Sequence, residues 1–323
     1  MSNMLLDDMF YNLLSELIDE WRKDGLSEEE IEKNISEVNA EEIINEYSKR
    51  SLDFFKDHIY EIALEEQADT NEFLAHQDKL WGKCFAASQT MYVMAVEIAT
   101  LYSEHVQKDI DDSIWMPQKY TYLAIQHMHG RACQEFLEIL HLMRLGFADC
   151  AYARWRSMYE LCCCADFIIK FGENIAKQYM EQSETDDHKY SWTTGAIDIN
   201  GNEIKAKTFK DIQKHCNVDP AWEKQYALSC LVNHASPQGT FKRLSNGSTQ
   251  NVIPVGHSDY GIDVPAEHSA ISLQWITSTF VSIFPYMEGI AMCNALHDWV
   301  EVIRNMYISV SSEAFGEKIL DDK

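Results

Sequence analysis

The sequence predicts an all-α protein, a multi-helix bundle with one small β-hairpin insertion at about 191–206. Three observations predict this. All six prolines lie at or after position 117, so the first 116 residues hold no strong helix breaker. Apolar residues recur at helical spacing over most of the chain. A single short stretch, centred on Asn200-Gly201, carries a convincing hairpin signal.

Ser27 to Glu30 forms a capping-box start for a helix through about Val38. Residues 40–66 and 71–106 follow with helical periodicity, and Leu80, Cys84, Ala87, Tyr92, Ala95 and Ile98 lie on the apolar face of the second. An αα-hairpin forms the centre. Its first helix covers 118–144, Leu145-Gly146 breaks it with glycine at the usual C-terminal position, and its second covers 147–182. The hairpin runs from Ser191 to Ile199, turns at Asn200-Gly201 in type I′ fashion and returns to Ala206. A short helix at 209–216 comes next, and Pro220 starts another that holds Tyr226 and reaches His234. Residues 236–265, rich in Gly, Ser, Asn and Pro, read as a long loop, a length that is often functional or disordered. Two helical segments close the fold over about 266–311.

Two regions are expected: an acidic helical N-terminal region over 1–110, and a helical core domain over 115–312. The chain has 323 residues, and 52 acids against 27 bases give a formal charge of −25. Residues 1–75 hold 21 acids and 6 bases, so over half of the excess sits in the first quarter. Such a surface repels nucleic-acid phosphates and anionic lipid unless a local basic patch overrides it. It reads as a solvated helix face, or as a docking arm for a basic protein partner.

The first ten residues carry Asp7 and Asp8 and no basic n-region, so no signal peptide is expected. The most apolar stretch, 270–295, contains Gln274, Pro285 and Glu288 and reads as a buried helix kinked at Pro285, with no membrane span. The nine cysteines include no Cys-x-x-Cys, and Cys162-Cys163-Cys164 fan out about 100° apiece on one helix. They read as small buried hydrophobes in a reducing cytoplasm. His127 and His129 diverge by about 200° on a helix, so no metal is expected. No Gly-rich phosphate loop, Walker motif or dinucleotide fingerprint occurs, and no cofactor is expected.

Chemistry-bearing residues concentrate in two clusters. Arg156 and Glu160 are four apart and share one helix face, flanked by Tyr152 and Cys163. They read either as a solvated ion pair worth roughly 0.2–0.5 kcal/mol, or as a buried pair, because Met158, Leu161, Cys162, Ala165, Phe167 and Ile168 surround them. A buried pair is costly and is usually kept for specificity or function. Arg154 points away from Arg156 and reads as surface. In the second cluster Tyr226, Ser229, Cys230 and Asn233 align on one face, while His234 lies about 140° round from Ser229. A Ser–His pair within that helix is poor geometry, so His234 needs a partner from another helix, and Glu160 is the obvious one. The candidate catalytic residues are Arg156, Glu160, Ser229 and His234. The candidate ligand-binding residues are Tyr226, Asn233, Tyr190 and Trp192.

These clusters resemble those of the bacterial family catalogued as domain of unknown function 5677. That family has a helix with Arg-Ser-x-x-Glu, an aromatic segment close to Tyr-Gly-Trp-Ala, and a Tyr…Leu-Ser segment followed by His and small residues. Arg156-Ser157-Met158-Tyr159-Glu160 matches the first. Tyr190-Ser191-Trp192-Thr193 matches the second, with Ser for Gly and Thr for Ala. Tyr226-Ala227-Leu228-Ser229 and His234-Ala235-Ser236 match the third. The resemblance covers roughly 115–300 and leaves out the acidic N-terminal quarter. It implies an α-helical bacterial protein with no established activity.

Three functions compete. One is a hydrolase, an RNase-like toxin or phage-defence effector acting on RNA through the Arg/Glu/His set. Small helical nucleases of that kind place four to six residues between Arg and His, and none of the eight arginines here has such a histidine. The second is a sensor in which Arg156 and His234 grip a small anionic ligand in a helical pocket. The third is a purely structural network. The reading leaves room for a homodimer.

Overall fold

A computed structural model describes residues 5–35, 40–187, 189–216, 218, 220–233, 237–241, 244 and 255–316. The chain divides into two compact units, Met1–Asn71 and Glu72–Lys323.

The first unit contains α1 (Leu5–Lys23), α2 (Glu28–Lys33) and α3 (Ala40–Asp57). The capping box forms: the Ser27 backbone N–H donates to Glu30 Oε2 at 2.8 Å, and the Glu30 N–H donates to Ser27 Oγ at 3.4 Å. The α-helix ends at Lys33, and the expected continuation to Val38 falls partly on residues outside those described. Leu13, Ile31 and Ile43 form a small core, and Tyr47 ties α3 to α1 by donating to the Leu6 carbonyl.

Next comes α4 (Ile59–Asp109), one 51-residue helix where the periodicity suggested a break near residue 70. Nothing between Glu66 and Glu72 is Pro or Gly, and Gln67 bridges forward to Asn71, so the helix continues. It is long and apolar enough to cross a membrane, with a mean hydropathy of 1.2 over its richest 18 residues. Trp81, Met91, Ala95 and Tyr102 on this helix are buried in the second unit, while Val93, Val96 and Leu101 are exposed.

The second unit continues through α5 (Asp112–Trp115), α6 (Lys119–Arg144), α7 (Ala148–Phe171), α8 (Glu173–Gln182), α9 (Phe209–Gln213), α10 (Pro220–Asn233), α11 (Pro237–Phe241), α12 (Asp263–Val281) and α13 (Met287–Phe315). Helices α6, α7, α12 and α13 pack as a bundle, with α10 against α7 and α8 against α6. Trp81, Phe136, Trp155, Tyr159, Phe280 and Tyr307 fill the core.

The α6–α7 corner uses Gly146 at φ 74°. A Cβ there would lie 2.7 Å from Ser258 backbone atoms, so only glycine fits. Residues 255–262, the described end of the predicted long loop, dock on this corner: Ser258 N–H donates to Gly146 O, and His257 Nδ1 bonds Leu145 O at 2.7 Å.

The predicted 147–182 helix is two helices. Gly172, at φ 83°, ends α7. The turn brings the Glu173 carboxylate onto the first turn of α6, where it accepts from Tyr120 N, Thr121 N and Thr121 Oγ1 at 2.7–2.9 Å. A carboxylate on exposed N–H groups at a helix start is a favourable cap.

The predicted β-hairpin at 191–206 does not form. Residues Ser191–Thr193 make a 3-10 turn, and among the described residues there is no strand, with one isolated antiparallel bridge between Ile197 and Glu203. A type I′ turn needs positive φ at both central residues, and Gly201 alone supplies it, at 81°. Asp198 dictates the turn instead: its carboxylate accepts from Asn200 N and Asn202 N, both at 2.8 Å.

Candidate functional site

The site grows from one face of α7. Arg156 Nε donates to Glu160 Oε1 at 3.0 Å and to the Tyr226 hydroxyl of α10 at 3.2 Å. The Tyr226 hydroxyl donates to the same Glu160 oxygen at 2.6 Å, and the Arg156 guanidinium lies 5.4 Å from the Tyr226 ring centroid. Burial, and then the hydrogen bond to Glu160, push the Tyr226 phenol well above its usual pKa, so it stays protonated and donates. The Arg156 and Glu160 side chains are 26% and 30% exposed, part-buried and joined by a third polar group. Tyr152 reinforces the α7–α10 contact by donating to Gln225.

A second network lies on the adjoining side of α7, and sequence reasoning missed it. Glu135 of α6 is fully buried. Its Oε1 accepts from Arg131 Nε at 2.9 Å and Ser157 Oγ at 3.0 Å, and Arg154 Nη2 forms an ion pair with it at 3.3 Å. Its Oε2 is buried with no partner among the described residues. Arg154, expected at the surface, is 33% exposed and joins Glu135 and Glu138 across the α6–α7 seam. Its roughly 200° offset from Arg156 aims it at α6 while Arg156 aims at α10. The signal that could have found this pair is the spacing of Arg131 and Glu135, the same four residues that singled out Arg156 and Glu160.

Ser157 and Glu160 open onto a cleft of about 450 Å³ that is also lined by Arg131, Tyr179, Lys189 and Tyr190. Gln182 builds its far wall. Its amide N–H groups donate to Asp187 O and Lys189 O, and its Oε1 accepts from Ser191 Oγ and Trp192 N. Trp192 is buried, edge-on to Phe167 and Tyr179, and anchors the segment. The predicted ligand residues Tyr190 and Trp192 therefore meet Glu160 at one cleft. Burial first pushes the Tyr179 hydroxyl up to about 12.

Ser229 is not part of this cluster. It is fully buried, and its hydroxyl donates back to the Tyr226 carbonyl at 2.8 Å, as a satisfied helix serine does. His234 lies outside the described residues, as does the side chain of Asn233. Among the described residues no group of three His, Cys, Asp or Glu is placed to hold a metal ion.

An all-α bundle that carries arginine–carboxylate networks on both sides of one central helix is the class of protein described so far. Residues 122–192 match the model of a family of unknown function, DUF5677. No curated protein and no solved structure matches the chain. The matched segment runs from α6 to Trp192 and contains Arg131, Glu135, Arg154, Arg156, Ser157, Glu160 and Tyr190, while Tyr226 and Ser229 lie beyond it.

Proposed function

We propose that the cleft between α6, α7 and α8 binds a small anionic ligand, and that the protein is a binding or sensor protein. One observation carries this reading: every residue lining the cleft, from Arg131 to Trp192, falls inside the family segment. The chemistry of the lining supports an anion. Its carboxylates are already engaged, Glu160 by Arg156 and Tyr226, and Asp187 by Lys189 N and Ser191 Oγ. Arg131 and Lys189 bring positive charge to the rim, and a guanidinium presents more N–H donors than Glu135 and Ser157 use.

The second reading, a hydrolase, rests on Ser157 donating to Glu135. That carboxylate oxygen already accepts from Arg131 Nε and pairs with Arg154 Nη2, so it is engaged within the α6–α7 seam. Calorimetry with inorganic phosphate, sulfate and citrate tests the proposal. At least one should bind, and the Arg131→Ala/Lys189→Ala variant should bind it about tenfold or more weakly, a loss of about 1.4 kcal/mol or more. Equal binding by that variant, or no binding at millimolar anion, overturns the reading. Turnover of an RNA substrate abolished by Glu160→Gln would establish the hydrolase instead.

A further inference from the structure

A second cavity, of about 470 Å³, lies between α7, α10 and α12, away from the residues of the anion cleft. Its volume falls in the range of about 300–1,000 Å³ usual for small-molecule sites. Tyr159, Trp222 and Trp275 give it aromatic walls. None of the described residues lining it carries a charge.

Its polar groups are few and their hydrogen-bonding states differ. Thr279 Oγ1 donates to Trp275 O and Ser282 Oγ donates to Thr279 O, so both hydroxyls keep acceptor capacity only. Gln274 donates from Nε2 to Ser278 Oγ, which leaves its Oε1 as an acceptor. The indole N–H groups of Trp222 and Trp275 have no partner among the described residues. The indoles of Trp81, Trp155 and Trp299, by contrast, donate to Asp259 O, Ser272 Oγ and Ala87 O. The cavity lining therefore carries two indole N–H donors beside acceptors on Gln274, Thr279 and Ser282 that the protein leaves open.

We infer that this cavity binds the base of a nucleoside, an uncharged heteroaromatic ring bearing both donors and acceptors. Aromatic walls supply stacking to any base face. The indole N–H groups suit ring nitrogen or carbonyl acceptors, and the Gln274, Thr279 and Ser282 oxygens suit exocyclic amino or ring N–H donors. The lack of a cation in the described lining, in a chain of net charge −25, disfavours a nucleotide phosphate.

The test uses the full chain and follows tryptophan fluorescence and calorimetry during titration with adenosine, guanosine, cytidine and uridine, with glucose and choline as controls. At least one nucleoside should bind and change the fluorescence. Trp222→Ala and Trp275→Ala should each weaken it about tenfold or more, the effect of losing one stacking ring. Trp275→Phe keeps the ring face and removes the N–H, so it should lose less than Trp275→Ala, a gradation that a general packing defect does not produce. Saturating inorganic phosphate should leave the nucleoside titration unchanged, which separates this site from the anion cleft. Failure of all four nucleosides at millimolar concentration overturns the inference. So do unchanged affinity in both alanine variants and selective binding of glucose or choline.

Discussion

Arginine and glutamate contribute unequally to the α6–α7 seam, because burial falls on one partner. Glu135 is fully buried, whereas Arg131 is 60% and Arg154 33% exposed. Removing the arginines strands a carboxylate away from water; removing the carboxylate lets the guanidinium groups turn to solvent. Breaking a buried pair from the side that leaves a buried charge costs about 3–5 kcal/mol. Losing a hydrogen bond to a solvated partner costs about 1–1.5 kcal/mol. The Arg131→Ala/Arg154→Ala variant should therefore be destabilised by several times more than Glu135→Gln in urea unfolding. Equal losses would remove the unequal burial of the partners as the deciding factor. At this scale the Arg156–Glu160 pair was legible from spacing alone. The Glu135 network was legible only in its Arg131 half, because Arg154 and Ser157 come from α7 and spacing along α6 does not show which helix will face it.

Turns decide the paths of the elements, and two glycines show how. Gly25 and Gly146 both have positive φ, 87° and 74°. Nothing lies within 4 Å of a Cβ built at Gly25, whereas one at Gly146 meets Phe73 Cζ at 2.6 Å and the Ser258 backbone at 2.7 Å. Gly25→Ala carries the conformational cost alone, about 1–2 kcal/mol. Gly146→Ala adds overpacking against backbone and should cost roughly 3 kcal/mol or more. Chemical denaturation of the two variants checks the difference, and equal costs would remove the close approach as the reason for glycine at the corner. The break at Gly172 was missed for a related reason. An isolated glycine in a periodic run reads as tolerated, and only the docking of Glu173 on the start of α6 rewards a chain that turns there.

Two histidines in the bundle core set how the stability of the whole molecule depends on pH. His129 is buried between α6 and α12. Thr277 gives its own hydrogen to Leu273 O, so His129 donates from Nε2 to Thr277 Oγ1 at 3.0 Å, with the Cys133 thiol beside the ring. His268 donates from Nδ1 to Val264 O and packs against Tyr152, Trp155 and Trp222. Burial lowers both from an ordinary value near 6.5 to about 4. Between these values the unfolded chain takes up protons that the folded chain refuses, so stability falls as pH drops from about 6.5 towards 4 and is flat with respect to these groups above 6.5. Each contributes a slope of roughly 1.4 kcal/mol per pH unit inside that window. Urea midpoints measured from neutral pH downwards should fall accordingly, and His268→Phe should reduce the slope. A midpoint that holds constant from neutral to pH about 5 would show that these rings accept protons in the folded state.

By itself the sequence determined the helical class, the capping box at Ser27, the corner at Gly146, the α10 start at Pro220 and the shared face of Arg156 and Glu160. These follow from periodicity, caps and i,i+4 spacing, which act within a few residues of chain. The β-hairpin failed at that same local scale, because Asp198 offers the backbone N–H groups a carboxylate and its competition is not visible in an Asn-Gly rule. Tertiary structure alone decided that Glu135 would be buried under Arg131 and Arg154 and that Tyr226 would join Arg156 to Glu160. It also decided that Tyr190 and Trp192 would close a cleft over Ser157. The physical reason is common to all of these. Whether a polar group is costly, satisfied or available depends on which groups exclude water around it, and those groups come from segments tens of residues away.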